Sequence, residues 1–173
     1  TGIADAQIDS TPMVCITGQV ASHLLGSDAF QETDIVGIST PVTKWNHQIT
    51  KASDIPNVLA KAFYIAKSGR PGPVLIDITK DAQFEMFDFN YSKVTGIRSY
   101  KPVPKPQITS LNLAADLINN ASKPMIVWGQ GVILSEAEKE FLTFVEKTGI
   151  PAAWTIMGVS AIPTSHPLNV GMV

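Results

Sequence analysis

Short apolar runs rich in β-branched residues recur at 13–17 (M-V-C-I-T), 35–38 (I-V-G-I), 74–78 (V-L-I-D-I), 125–128 (M-I-V-W) and 152–155 (A-A-W-T). Runs this short and this uniformly apolar predict strands covered on both faces. Helical periodicity fills several gaps between them, and that alternation predicts an α/β fold of βα units on a parallel sheet. The stretch S-D-I-P-N-V-L-A-K-A-F-Y-I-A-K-S-G starts with Ser53 as N-cap and Pro56 in the first turn. It gathers Ile55, Val58, Leu59, Ala62, Phe63 and Ala66 on one face and stops at Gly69. The stretch S-E-A-E-K-E-F-L-T-F-V-E-K-T-G repeats the logic, with Ser135 and Glu138 spaced as a capping box and Gly149 as terminator. A third helix is predicted over 111–119, after Thr109-Ser110.

Residues 82–107 show no clear periodicity and end in K-P-V-P-K-P, where Pro102, Pro104 and Pro106 exclude helix and favour an extended connector. The predicted organisation is one domain over 1–88, a linker over 89–107 and a second domain over 108–173. Each half offers two or three clear strands, whereas a mean sheet has about five or six. The first residues, T-G-I-A-D-A-Q-I-D, open as though part-way through a helix. An internal piece of a longer chain is therefore expected, spanning the end of one domain and the start of the next.

Composition narrows the function classes. The 173 residues are 45% hydrophobic, enough to bury a core, and carry a net charge of −2 with no run of Lys and Arg interleaved with aromatics. No nucleic-acid partner is expected. No apolar stretch reaches the roughly 20 residues of a membrane span, and a cytoplasmic location is the expectation. Cys15, the single cysteine, has no partner for an internal disulfide and reads as a small apolar strand residue. His23, His47 and His166 stand without metal-ligand spacing, and no G-x-S-x-G element supports hydrolase chemistry.

Four motifs remain as candidates. G-Q-G, Gly129 to Gly131, follows a strand directly, so backbone could approach a ligand there, although a tight strand-to-helix turn accounts for it equally well. Leu134 occupies the place of the third small residue of a dinucleotide fingerprint, which argues against a nicotinamide site. T-I-M-G, Thr155 to Gly158, ends the neighbouring strand, with Met157 equally readable as core. In G-S-D-A-F-Q-E, Phe30 and Gln31 suit packing and hydrogen bonding to a small substrate, while Ser27 or Asp28 suits an ordinary helix cap. In K-S-G-R-P-G-P-V-L-I-D-I-T-K-D, Arg70 and Lys80 flank a strand, either as solvated ends or as two separate anion sites.

Taken in order, T-G-Q-V, D-A-F-Q-E, T-K-W-N, S-G-R-P-G-P-V-L-I-D, T-K-D, K-P-M-I-V-W-G-Q-G, T-G-I-P and T-I-M-G resemble the large catalytic subunit of the acetolactate synthase (acetohydroxyacid synthase) family. The resemblance implies an enzyme using thiamine diphosphate and Mg2+ to decarboxylate pyruvate and add the hydroxyethyl unit to a second 2-ketoacid, pyruvate or 2-ketobutyrate, in branched-chain amino-acid biosynthesis. FAD is bound in that family without net redox chemistry. It further implies the end of a pyrimidine-binding domain followed by the start of a Rossmann-like FAD-associated domain, a homodimer or higher oligomer, and a regulatory small subunit. Phe30, Gln31 and Lys80 fall on the family's substrate side; Arg70, Gly129, Gln130, Gly131, Thr155, Ile156 and Met157, with Met172 beside them, fall on its flavin side. The activating glutamate lies upstream of Thr1 in the family and the metal-binding G-D-G element lies beyond Val173. No catalytic base or metal ligand is thus expected here, and the segment alone is expected to be inactive. Ala21 and Thr40 depart from common family residues at inhibitor and channel-wall positions. A related carboligase, such as glyoxylate carboligase or sulfoacetaldehyde acetyltransferase, and a non-catalytic flavin-binding module are the competing expectations.

Overall fold

The run V-L-I-D-I becomes the middle of a sheet because it alone is apolar enough to be enclosed from every side. The computed structural model describes residues Thr1–Val173, which divide into two units, Thr1–Pro104 and Lys105–Val173. In the first unit the elements follow as α1 (Gly2–Ile8), β1 (Met13–Gln19), α2 (Ile35–Ser39), β2 (Trp45–Ile49), α3 (Ile55–Lys67), β3 (Pro73–Thr79) and α4 (Lys80–Phe84). The sheet order is β1-β3-β2 with both pairings parallel, Cys15 lying opposite Leu75 and His47 opposite Ile76. Ile49, Val58, Ala62, Ile65, Val74 and Ile76 form the core between α3 and the sheet.

Helix α3 carries out most of what its sequence predicts, with two differences. Its buried stripe is Val58, Ala62, Ile65 and Ala66, whereas Phe63 is 56% exposed; the helix is turned so that small residues meet the sheet. Ser53 makes no capping bond but sits in a 3-10 turn over Ala52–Asp54, where the Ala52 N–H donates to the Glu85 carboxylate at 2.7 Å. The helix ends before Gly69, whose φ of 61° suits glycine and whose absent Cβ leaves room for the Pro102 carbonyl. Lys44 closes this end by donating from Nζ to the Ile65 and Ser68 carbonyls, with its ammonium 5.7 Å from the Tyr100 ring centroid. The Tyr100 hydroxyl also donates to the Ser68 carbonyl, at 3.1 Å, and its ring meets Tyr64 edge-on at 6.3 Å.

The apolar run at 35–38 is a helix rather than the predicted strand. Asp34 caps it, its Oδ1 accepting from the Gly37 N–H at 2.8 Å, and that local bond decides a stretch too short for periodicity to classify. The strand between β1 and β3 in sequence is instead W-N-H-Q-I, whose polar content is tolerated because β2 stands at the sheet edge.

The second unit runs α5 (Ile108–Asn119), β4 (Ile126–Trp128), α6 (Gln130–Leu134), α7 (Glu138–Thr148), β5 (Ala152–Trp154) and β6 (Asn169–Met172), with a parallel sheet in the order β4-β5-β6. Trp128, Val145, Ala152, Ala161 and Ile162 form its core, and the Trp128 ring lies 5.5 Å from that of Phe141. Gly149 ends α7 at φ 65° as predicted. The Ser135–Glu138 capping box does not form: Ser135 belongs to the end of α6 and donates to the Gly131 carbonyl, while Ala137 precedes α7. Strand β6 was not predicted, since N-V-G-M is short and carries Gly171 at φ 100°. On α5, Leu111, Leu113 and Leu117 are all more than half exposed. No helix is long and apolar enough to cross a membrane.

Candidate functional site

Parallel strands deliver their carboxyl ends to one side, and loops leaving those ends can converge. In the first unit the loop after β1 and the helix after β3 enclose a cleft of about 640 Å³, lined among others by Gln19, Leu24, Phe30, Gln31, Lys80 and Phe84. Three of the residues singled out from sequence, Phe30, Gln31 and Lys80, are thus brought together. Phe30 and Phe84 are 89% and 76% exposed, so two aromatic faces flank an opening that also carries the Lys80 ammonium. A small anion with an apolar portion matches that lining.

Three carboxylates hold the walls, none of them paired with a cation. Asp77, fully buried on β3, accepts from Thr17 Oγ1 at 2.8 Å, Gln48 Nε2 at 2.9 Å and Gln19 Nε2 at 3.3 Å. Those donors come from the strands on either side, which is how a charge is tolerated inside a sheet. Gln19 Nε2 also donates to the Thr33 carbonyl at 2.7 Å, so the end of β1 is tied to the far end of the Phe30–Gln31 loop. Asp81 accepts from both the hydroxyl and the N–H of Ser22, the latter at 3.0 Å, and the Ser22 hydroxyl first of all holds its carboxyl well below the usual carboxylate range. Glu32 accepts from the Gly26 N–H and from the Ala29 N–H at 3.0 Å, and these backbone bonds lower its pKa. Within the loop it closes, Asp28 and Gln31 sit at φ 55° and 65°, left-handed conformations that cost non-glycine residues on the order of 1–3 kcal/mol.

Gln19, Ser22, Glu32, Asp77 and Asp81 were not selected from sequence. One signal was available: an aspartate inside V-L-I-D-I is either fatal to the strand or held by partners. Arg70 lies away from the cleft, at the amino end of β3. Its Nε donates to Ser10 Oγ and its Nη2 to the Ile8 carbonyl, both at 2.8 Å, fastening the last turn of α1. Burial pushes the Cys15 thiol up, away from nucleophilic character. No three His, Cys, Asp or Glu side chains gather as a metal site.

In the second unit, Gly129–Gly131 and Thr155–Met157 leave the ends of the adjacent strands β4 and β5, with Trp128 and Trp154 in register. The Thr155 N–H donates to the Trp128 carbonyl at 2.9 Å and the buried Trp128 Nε1 to the Gly158 carbonyl at 2.8 Å. A Cβ on Gly158 would lie 3.0 Å from the Gly129 backbone, so glycine is what lets the two strand ends close up. Above them Ile156 and Met157 are 71% and 42% exposed, and a Cβ on Gly131 would meet nothing within 4 Å.

The profile of the family described as "Thiamine pyrophosphate enzyme, central domain" matches residues 111–173, the part of the second unit that holds all three of its strands. The whole chain aligns with the acetolactate synthase large subunit of Corynebacterium glutamicum at 50% identity, covering 99% of this chain and 28% of that protein. Over its whole length the chain is similar to acetolactate synthase large subunits. The acetolactate synthase of Mycobacterium leprae is 48% identical over 99% of the chain and 28% of its own length, and the isozyme 1 large subunit of Escherichia coli is 42% identical over 100% and 30%. The X-ray structure of a protein isolated from Mycobacterium smegmatis and described as a thiamin diphosphate-dependent enzyme superimposes with a TM-score of 0.78 at 26% identity, covering 99% of this chain and 33% of that one. The chain therefore spans between 28% and 31% of the length of the curated relatives it matches. Parallel-sheet α/β units and a thiamine-enzyme central-domain fold are the architecture expected from its sequence.

Proposed function

We propose that this chain is the segment of a thiamine-diphosphate-dependent acetolactate synthase that joins the end of the pyrimidine-binding domain to the start of the FAD-associated domain. The enzyme decarboxylates pyruvate and transfers the hydroxyethyl unit to a second 2-ketoacid. The observation that carries this reading is the gathering of Phe30, Gln31 and Lys80, from two separate parts of the chain, around one cleft at the carboxyl ends of β1 and β3. In that cleft Lys80 offers its ammonium to the ketoacid carboxylate, Phe30 packs on the apolar portion, and Gln31 hydrogen-bonds the carbonyl. Thiamine diphosphate, when bound, supplies the electron sink for decarboxylation. This chain's own residues bind and orient the ketoacid; they contribute no metal cluster, and no step is assigned to magnesium held by them.

FAD fits the second unit. Gly129, Gln130 and Gly131 present backbone without a side chain in the way, Thr155 borders them, and the exposed Ile156 and Met157 offer apolar cover to a flat ring. The reading gives Arg70 a flavin contact through Nη1, the guanidinium nitrogen that α1 does not occupy. The cytoplasm, assembly as at least a homodimer, and a regulatory small subunit belong to the same reading. The test is the protein with its complete reading frame, supplied with pyruvate, thiamine diphosphate, magnesium and FAD. Acetolactate is the expected product, FAD titration should quench flavin fluorescence, and absence of acetolactate overturns the proposal.

A further inference from the structure

The cleft depends on a loop whose conformation is unfavourable in isolation. Between Gly26 and Thr33 the chain turns back on itself with Asp28 and Gln31 in left-handed backbone conformations, and Gln31 is one of the two residues the loop presents to the cleft. Such conformations persist only where the surroundings over-determine them. Phe30, 89% exposed, contributes almost no packing that could hold the loop. Besides local turn bonds, from the Ser27 N–H and hydroxyl to the Leu24 carbonyl at 3.2 and 2.6 Å and from the Glu32 N–H to the Ala29 carbonyl at 2.9 Å, the loop is held by longer-reaching side-chain hydrogen bonds with two separate roots. Outside the loop, Gln19 ties Thr33 to the strand end and is itself bonded to the buried Asp77. Inside it, the Glu32 carboxylate reaches back to the N–H groups of Gly26 and Ala29, spanning the loop from its last turn to its first. Two amides converging on one carboxylate form charge-assisted bonds, the strongest class available to an exposed loop.

We infer that Glu32 is a positioning residue for the cleft: by accepting from the Gly26 and Ala29 N–H groups it fixes the loop that presents Phe30 and Gln31 to the ketoacid. The inference rests on the proposed function for the identity of the ligand, but the loop's dependence on Glu32 does not. Glu32 itself does not line the cleft, so its effect is transmitted through Phe30 and Gln31 and not through contact with substrate. Glutamine is the informative replacement because it keeps length and one acceptor oxygen, while its amide nitrogen opposes the second N–H.

The experiment uses the protein expressed with its complete reading frame, as wild type, Glu32→Ala and Glu32→Gln. Two readouts are taken: amide exchange over residues 24–34, and kcat and KM for pyruvate. In Glu32→Ala, exchange at Gly26 and Ala29 should accelerate at least about tenfold, as expected for loss of a bond to a charged acceptor. Exchange in β3 should stay unchanged. The same variant should lose about tenfold in kcat/KM, because a displaced substrate-facing pair is sensitive to shifts on the order of 1 Å. Glu32→Gln should fall between the two in both readouts. Loop exchange at the wild-type rate, loop exchange accelerated without a kinetic change, or exchange accelerated throughout the unit would each overturn the assignment, the last by making Glu32 a folding residue. If the wild-type protein turns over no pyruvate, the proposed function fails on its own, and the exchange data still decide whether Glu32 holds the loop.

Discussion

Replacing Asp77 by Ala removes an acceptor that three side chains share inside the first sheet. Two of its bonds are short, 2.8 Å from Thr17 and 2.9 Å from Gln48, and the 3.3 Å bond from Gln19 is at the weak limit. Each strong bond to a charged acceptor is worth about 1.5–3 kcal/mol; the half-buried Thr17 and Gln48 lose theirs with only partial access to water, while Gln19 keeps its bond to the Thr33 carbonyl. Against this stands relief of the cost of burying a carboxylate without a cation. The net expectation is a loss of about 3 kcal/mol, or roughly 100-fold faster exchange of the protected β3 amides at about 1.4 kcal/mol per tenfold. Thr17→Val alone should cost about 1 kcal/mol, since the carboxylate keeps its other donors, and nothing further in the Asp77→Ala background. Native-state exchange is the suitable assay because it reports the β3 amides separately from the second unit. If Asp77→Ala changes β3 exchange by less than about threefold, the network contributes nothing to stability and the reasoning fails.

Lys80→Ala should lower turnover of pyruvate while leaving β3 exchange unchanged, because Lys80 is exposed at the cleft and supports no packing; unchanged kinetics would remove it from the substrate side. Gly158→Ala should weaken FAD binding and destabilise the second unit by about 1–3 kcal/mol, since its Cβ meets Gly129 backbone that cannot yield as a side chain would; wild-type flavin titration and unfolding would refute this. Asp81 has a depressed folded pKa, so its clasp on Ser22 is present above the unfolded carboxylate value and is lost only as pH falls through the lower folded one. A carboxyl NMR titration should therefore find Asp81 still ionised below pH 3.8, its unperturbed value, and Ser22→Ala should return it towards that value.

What could be read from the chain divides by how local the deciding interaction is. The alternation of apolar runs with helical periodicity identified β1, β3, β4, β5, α3, α5 and α7, because a short apolar run stands out and a long helix averages over many positions; the expected cover on both faces holds for β3, whereas β1 and β4 leave Ile16 and Val127 more than half exposed. The run at 35–38 misled because one aspartate cap outweighs three apolar side chains and a glycine. Strand β2 was hidden for the opposite reason: an edge strand can carry Asn46, His47 and Gln48, and the Trp45–His47 stacking at 5.4 Å that accompanies it has no one-dimensional signature. In the cleft, the residues presented to the ligand stood out by chemistry, whereas Gln19 and Asp77, 58 positions apart, become a pair only when β1 lies beside β3.

The two cations of S-G-R-P-G-P-V-L-I-D-I-T-K-D now separate physically. Strand β3 advances six residues from Pro73 to Thr79, about 20 Å at roughly 3.3 Å per residue, so Arg70 and Lys80 stand at opposite ends of an enclosed strand and cannot share one anion. Arg70 has spent Nε and Nη2 on the end of α1, where Ile8 O is a carbonyl the helix leaves unpaired and Ser10 is held at φ 57°. A guanidinium there satisfies the carbonyl, favours the negative end of the helix and keeps Nη1 for a ligand. Lysine keeps the charge but cannot reproduce the fork. Arg70→Lys should therefore free the 8–11 segment, seen as new cleavage by a broad-specificity protease, and weaken FAD binding in step with that release. A loss of FAD affinity with α1 still protected would assign Arg70 to the flavin alone, and release of α1 with full FAD affinity would assign it to the fold alone. Either result would refute the shared role that its three nitrogens support.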